Sequence, residues 1–94
     1  MKSKASLDLE QLPIEGIAWV AFFKRDELTT DLICCEVATK APTEQVFFFH
    51  EEMDGWNQLL AHLGQLKGFR SDWYEAVALP TFAESRTVAY RAQS

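Results

Sequence analysis

The chain has 94 residues and a mass of 10.7 kDa, which suffices for one domain and leaves no room for a second core. Hydrophobic residues make up 48% and charged residues 24%, proportions that exclude a disordered or low-complexity chain. The net charge of −5 argues against a nucleic-acid partner, because binding the phosphate backbone requires clustered Lys and Arg.

The beginning of the sequence lacks the pattern of a signal peptide, since Asp8 and Glu10 precede any apolar run. The longest apolar run, residues 17–23, is far shorter than the about 20 residues that a membrane span requires. Cys34 and Cys35 are adjacent, so they are poorly placed to join distant segments by a disulfide. These features predict a cytoplasmic protein with no membrane partner.

We divide the chain into an N-terminal arm, residues 1–13, and a single α+β domain, residues 14–94. The arm carries mixed charge and scattered leucines, as loosely packed termini do. Three runs rich in β-branched and aromatic residues follow, separated by polar or proline-containing turns, and are predicted strands: 17–23, 32–39 and 45–50. Short connections between them predict an antiparallel meander.

A long helix is predicted next, because apolar residues from Met53 to Leu66 recur at helical instead of strand spacing. Asp54 is the expected N-cap, in a first turn whose acidic residues suit the helix dipole. Gly68 is expected to end the helix in the left-handed conformation.

A shorter helix is predicted over residues 71–78 and a last strand over residues 86–91, with Val88 and Tyr90 facing inward. The order βββααβ predicts an α+β fold: an antiparallel three- to four-stranded sheet with one long and one short helix packed on one face. The position of the last strand in the sheet stays open.

The strands carry more apolar surface than such a two-layer fold covers. One face of the sheet should meet water and be polar. In the first strand, however, Trp19 and Phe23 alternate with Phe22, and in the third strand Phe48 alternates with Phe47. Aromatic surface therefore remains exposed whichever face packs against the helices.

The sequence leaves three alternatives for what covers this surplus apolar face. The first is the N-terminal arm, through Leu7, Leu9, Leu12 and Ile14. The second is another copy of the chain, packed sheet on sheet or paired along an edge strand. The third is a different protein.

His50 precedes Glu51 and Glu52, and a histidine near carboxylates can bind a metal or act as a general base. The zinc motif His-Glu-x-x-His is absent because position 54 is Asp54. We interpret the acidic residues as helix-start charges. Cys34 and Cys35 also lack redox or metal spacing, so we predict no metal site, cofactor or catalytic residue.

Two groups of residues are candidates for binding a protein. One is acidic and lies in residues 41–66, which contain no Lys or Arg; it suits a basic partner or a solvated rim. The other combines residue types enriched in interaction hot spots, although it could equally anchor the short helix. The first group is Glu44, Glu51, Glu52 and Asp54, and the second is Arg70, Trp73 and Tyr74.

The sequence thus predicts a small acidic, non-enzymatic protein–protein interaction domain that forms a homodimer. A specific version of this hypothesis is an inhibitor or immunity-type protein that binds a basic protein. The alternative is a small-ligand-binding regulatory domain whose pocket, between helix and sheet, is lined by Trp56, Trp73 and phenylalanines. A third hypothesis is an enzyme that uses His50 with Glu51 or Glu52.

Overall fold

The computed structural model describes residues 9–26, 31–41, 43–78 and 86–92. These residues form an antiparallel four-stranded sheet and two helices, which confirms the predicted α+β class and element order. Neither helix within these ranges has the length and apolar character needed to cross a membrane. The elements are β1 (Ile17–Asp26), β2 (Asp31–Thr39), β3 (Gln45–His50), α1 (Trp56–Leu63), α2 (Trp73–Ala78) and β4 (Arg86–Arg91).

The strand order in the sheet is β3-β2-β1-β4. The predicted meander of β1, β2 and β3 leaves one free edge on β1 and one on β3. The last strand pairs antiparallel with β1, so β3 and β4 become the two edges of the sheet.

The core lies between the helices and one sheet face, around Phe22. Trp73 of α2 stacks on the Phe22 ring with centroids 3.7 Å apart, and Trp56 and Phe69 meet that ring edge-on at 6.4 and 6.2 Å. Aliphatic side chains of both helices, such as Leu59 and Val77, complete this layer and are fully buried.

The described part of the predicted arm packs on the helix side of the sheet. Leu12 is buried in the core, and Leu9 and Ile14 pack against the same cluster. The backbone oxygen of Leu12 accepts a hydrogen bond from His62 Nε2 of α1 at 2.6 Å. Residues 9–14 therefore do not cover the other sheet face, whereas Leu7 lies outside the described residues.

Helix α1 begins differently from the sequence prediction. Its N-cap is Gly55, with φ of 91°, whereas Asp54 lies in the preceding turn. Glycine adopts this left-handed conformation without a steric cost, which allows the abrupt turn into the helix. The α-helix ends at Leu63, and Gly68, left-handed as predicted at φ of 88°, ends the turns that follow.

The prediction that Val88 and Tyr90 share a face is wrong. Val88 pairs with Ala21 and Tyr90 with Val20, which are neighbours on β1 and point to opposite faces. The extra residue of β4 between these pairs, Ala89, forms a β-bulge. Tyr90 consequently packs toward the helices, while Val88 lies on the other face.

Candidate interaction surface

The side of the sheet opposite to α1 and α2, called the open face below, exposes apolar side chains from all four strands. Cross-strand partners share a face, so the register assigns each residue to one side. Val46 and Phe48 on β3 are 59% and 42% exposed. The predicted surplus apolar face is therefore confirmed; its large apolar residues are Trp19, Phe23, Leu32, Val46, Phe48 and Val88.

A bulge at the start of β1 sets the boundary of this face. The register shifts between Ile17 and Trp19, so Ile17 turns into the core while Trp19 turns onto the open face. Trp19 lies in one cross-strand row with Ala38 and Val46. Because the alanine between them is small, the row contains an open cavity of about 400 Å³ whose polar end is formed by Lys40, Glu44 and Gln45.

The charges among the described strand positions of the open face are mainly cationic. The guanidinium of Arg25 lies 5.6 Å from the centroid of the Phe48 ring, and that of Arg86 lies 5.3 Å from the Trp19 ring. Both distances allow cation–π attraction. Arg91 pairs with Trp19 in the register, and the carboxylate of Glu36 bonds to Arg86 at 3.3 Å.

The four predicted acidic residues do not form one patch. Glu51 is structural: its Oε2 accepts the backbone N–H of Ile33 at 3.0 Å, and its own N–H donates to the Ile33 carbonyl at 3.0 Å. Glu52 and Asp54 are exposed in the turn before α1. Glu44 lies at the opposite end of β3, roughly 20 Å away along the strand.

The second predicted group mainly anchors α2. Trp73 is buried on Phe22, and the backbone N–H of Arg70 donates to the Ala89 carbonyl at 2.7 Å. The side chain of Arg70 donates to Asp72 at 2.6 Å, a hydrogen bond that lowers the pKa of this carboxyl. Tyr74 is 56% exposed on the helix side and is the member of this group that presents an aromatic ring to the surface.

Of the groups that an enzyme or a redox site would use, His50 makes a local backbone hydrogen bond and both cysteines are buried. His50 Nδ1 accepts the backbone N–H of Glu52 at 3.3 Å. Cys34 and Cys35 are buried thiols that form no disulfide, and burial raises the pKa of Cys35. Among the residues that the structure describes, no three His, Cys, Asp or Glu side chains are grouped to hold a metal ion.

The predicted ligand pocket between helix and sheet is occupied by packed rings. Trp56, Phe69 and Trp73 surround Phe22, which is fully buried, so these aromatic residues form core.

No protein-family model, no curated protein and no solved structure matches this chain. The geometry of the open face is thus the basis of the functional argument. Sequence reasoning identified its aromatic residues but missed its arginines, because Arg25 and Arg86 are 61 positions apart in the chain. The signal was the strand alternation, which places each arginine on the same side as the surplus aromatics.

Proposed function

We propose that the protein is a small non-enzymatic protein–protein interaction domain that works as a homodimer. The observation that carries the proposal is the apolar open face, which reaches the free edge of the sheet at Val46 and Phe48. Contiguous exposed apolar surface marks interaction sites in soluble proteins. Aromatic residues with neighbouring arginines are the composition that interface centres favour.

Two further observations support this proposal. Leu9, Leu12 and Ile14 are already packed on the helix side, so they do not cover the open face. The hydrogen bonds at His50 Nδ1 and Glu51 Oε2 also give this pair a structural role, which favours a binding over a catalytic function.

A basic protein partner is a separate proposal, and it concerns a different surface. The open face presents Arg25, Arg86 and Arg91, which would repel a basic partner. Glu52 and Asp54 are exposed in the turn that follows β3, and their carboxylates would attract such a partner.

The mass in solution, measured by light scattering behind a sizing column, tests the homodimer. We expect about 21.4 kDa for the full chain, twice the monomer mass of 10.7 kDa. Phe48→Lys should give the monomer mass, because a lysine on the exposed edge strand β3 opposes pairing with another chain and removes an apolar contact. Tyr74→Lys is the matched control, since it charges an aromatic residue that is exposed on the helix side; it should stay dimeric. A wild-type chain of monomer mass at every concentration would refute the homodimer.

A further inference from the structure

The outer edge of β3 has the properties of a pairing surface. In the described part of the chain, β3 has β2 on one side and no strand on the other. Glu51 N–H bonds to the Ile33 carbonyl, and bonded pairs alternate along an antiparallel ladder. Phe49, Phe47 and Gln45 therefore bond to β2, whereas Val46 and Phe48 direct their N–H and C=O groups outward.

The two edges of the sheet differ in how they are protected. Proteins protect exposed edge strands with charged residues, proline and bulges. The edge strand β4 has arginine at both ends, Arg86 and Arg91, and a bulge at Ala89. The six residues of β3, Gln45–His50, include no Lys, Arg, Asp, Glu or Pro, and their pairing with β2 is regular. An unprotected, regular apolar edge of this kind is suited to receive another strand.

We infer that a second copy of the chain occupies this edge, with the two β3 strands antiparallel around a twofold axis at Phe47. This inference rests on the proposed homodimer and specifies its geometry. Val46 of each copy then pairs with Phe48 of the other, and the outward groups of these residues form four backbone hydrogen bonds. The result is one sheet of eight strands, four from each copy, with both open faces on the same side.

Charge complementarity selects this register. A twofold axis perpendicular to the sheet requires that paired residues lie on the same face, so the axis can pass at Phe47 or at Phe48 but not between them. With the axis at Phe47, Glu44 of each copy lies opposite His50 of the other. Because His50 Nδ1 accepts a backbone N–H, a neutral imidazole carries its proton on Nε2, which can donate to the carboxylate. With the axis at Phe48, Glu44 would instead lie next to the turn that follows His50 in the other copy, where Glu52 is exposed, so like charges would approach each other.

Packing two open faces against each other is disfavoured by the same charges. It would bring Arg25, Arg86 and Arg91 of both copies into one interface. The carboxylate on the described strand positions of this face, Glu36, already bonds to Arg86. Buried cations without partners oppose association, whereas pairing along β3 leaves the arginines in water.

Single cysteines test the register. In Phe47→Cys, the two new thiols face each other across a non-hydrogen-bonded pair, a separation that a disulfide spans. In the matched controls Val46→Cys and Phe48→Cys, the equivalent residues of the two copies are offset by two positions, beyond disulfide reach. Cys34 and Cys35 are buried and do not compete. Under mild oxidation, we expect a covalent dimer from Phe47→Cys alone on a non-reducing gel.

A charge exchange tests the same geometry without touching the aromatic residues. Glu44→Lys should raise the dimer Kd about fivefold or more, because two cross-strand pairs lose the carboxylate that accepts from His50 Nε2 and gain a lysine, which has no acceptor. Adding His50→Glu places a glutamate opposite the new lysine and so creates an attractive pair again, and the Kd of the double variant should return to within about twofold of wild type. Glu52→Lys is the control, expected to leave the Kd unchanged.

The outcomes separate this inference from the proposed function. A wild-type chain of monomer mass overturns both. A disulfide-linked dimer of Phe48→Cys, or a dimer Kd that does not change in Glu44→Lys, would refute the proposed β3 pairing but not the homodimer. If Phe47→Cys does not fold, as shown by its far-UV circular dichroism, the charge exchange decides by itself.

Discussion

Replacing Phe22 and Phe23 separately by alanine compares the two faces of the sheet at neighbouring positions of β1. Phe22 is fully buried and stacks on Trp73 with centroids 3.7 Å apart. Phe23 is half-buried on the open face, where its nearest ring partner is Phe48 at 6.1 Å. Truncating a buried phenylalanine to alanine costs about 3–5 kcal/mol, since it removes apolar contacts and leaves a cavity. Phe23→Ala should cost less than about half as much, because its ring already meets water.

Urea unfolding followed by far-UV circular dichroism measures both free energies. The experiment is best done at a low protein concentration, where dimer formation contributes little to stability. A total stability of about 5–15 kcal/mol means that Phe22→Ala removes a large fraction of it. Equal losses for the two variants would contradict the fold described above, because they would mean that the open face is also covered within one chain.

Three other substitutions or pairs of substitutions test local features. Because burial raises the pKa of the Cys35 thiol in the folded state, the unfolded state loses this proton first as the pH rises through about 8.5. The free energy of unfolding should then fall by up to about 1.4 kcal/mol per pH unit, and Cys35→Ala should reduce that slope in urea titrations at several alkaline pH values. Gly16→Ala should destabilise the protein by about 1–3 kcal/mol, because the added Cβ would overlap the backbone carbonyl of Ala41. Gly64→Ala, whose Cβ would make ordinary contacts, should be neutral or stabilising by up to about 1 kcal/mol. Equal changes in melting temperature for the two variants would contradict this. Glu51→Ala should lower the free energy of unfolding by about 1 kcal/mol, because it removes the hydrogen bond to the Ile33 amide of β2, whereas Glu52→Ala should change it very little. Equal melting temperatures for the two variants would mean that Glu51 is a solvated charge with no structural role.

Local sequence patterns predicted most of the helices and strands, because the formation of these elements depends mainly on residues close in the chain. The bounds of β3 and β4 agree with the prediction, and β1 extends three residues further than expected. The start of α1 was missed, since Asp54 and Gly55 are both residues that precede helices. The backbone turn that follows β3, in which Met53 N–H bonds to the His50 carbonyl, decided between them.

Local sequence patterns did not predict the β-bulges. Alternation alone places Val88 and Tyr90 on one side, but the extra residue in β4 separates them. A bulge is set by how a strand fits its neighbour, and the sequence of one strand does not specify that fit.

The candidate surface was predictable in its apolar half and not in its charged half. Period-two alternation by itself determined that Trp19 lies opposite to Phe22 within β1 and that Phe48 lies opposite to Phe47 within β3, because successive side chains point to opposite faces in every strand. The pairing register placed Trp19 and Phe48 on the same side of the sheet. Only the tertiary structure decided that Arg25 lies over the Phe48 ring, and that Glu51 bonds to β2 instead of standing in an acidic patch. The physical reason is that strand pairing brings together residues that are distant in the chain. The alternation of a strand is local, whereas the charge of a surface is the sum over segments that meet only after folding.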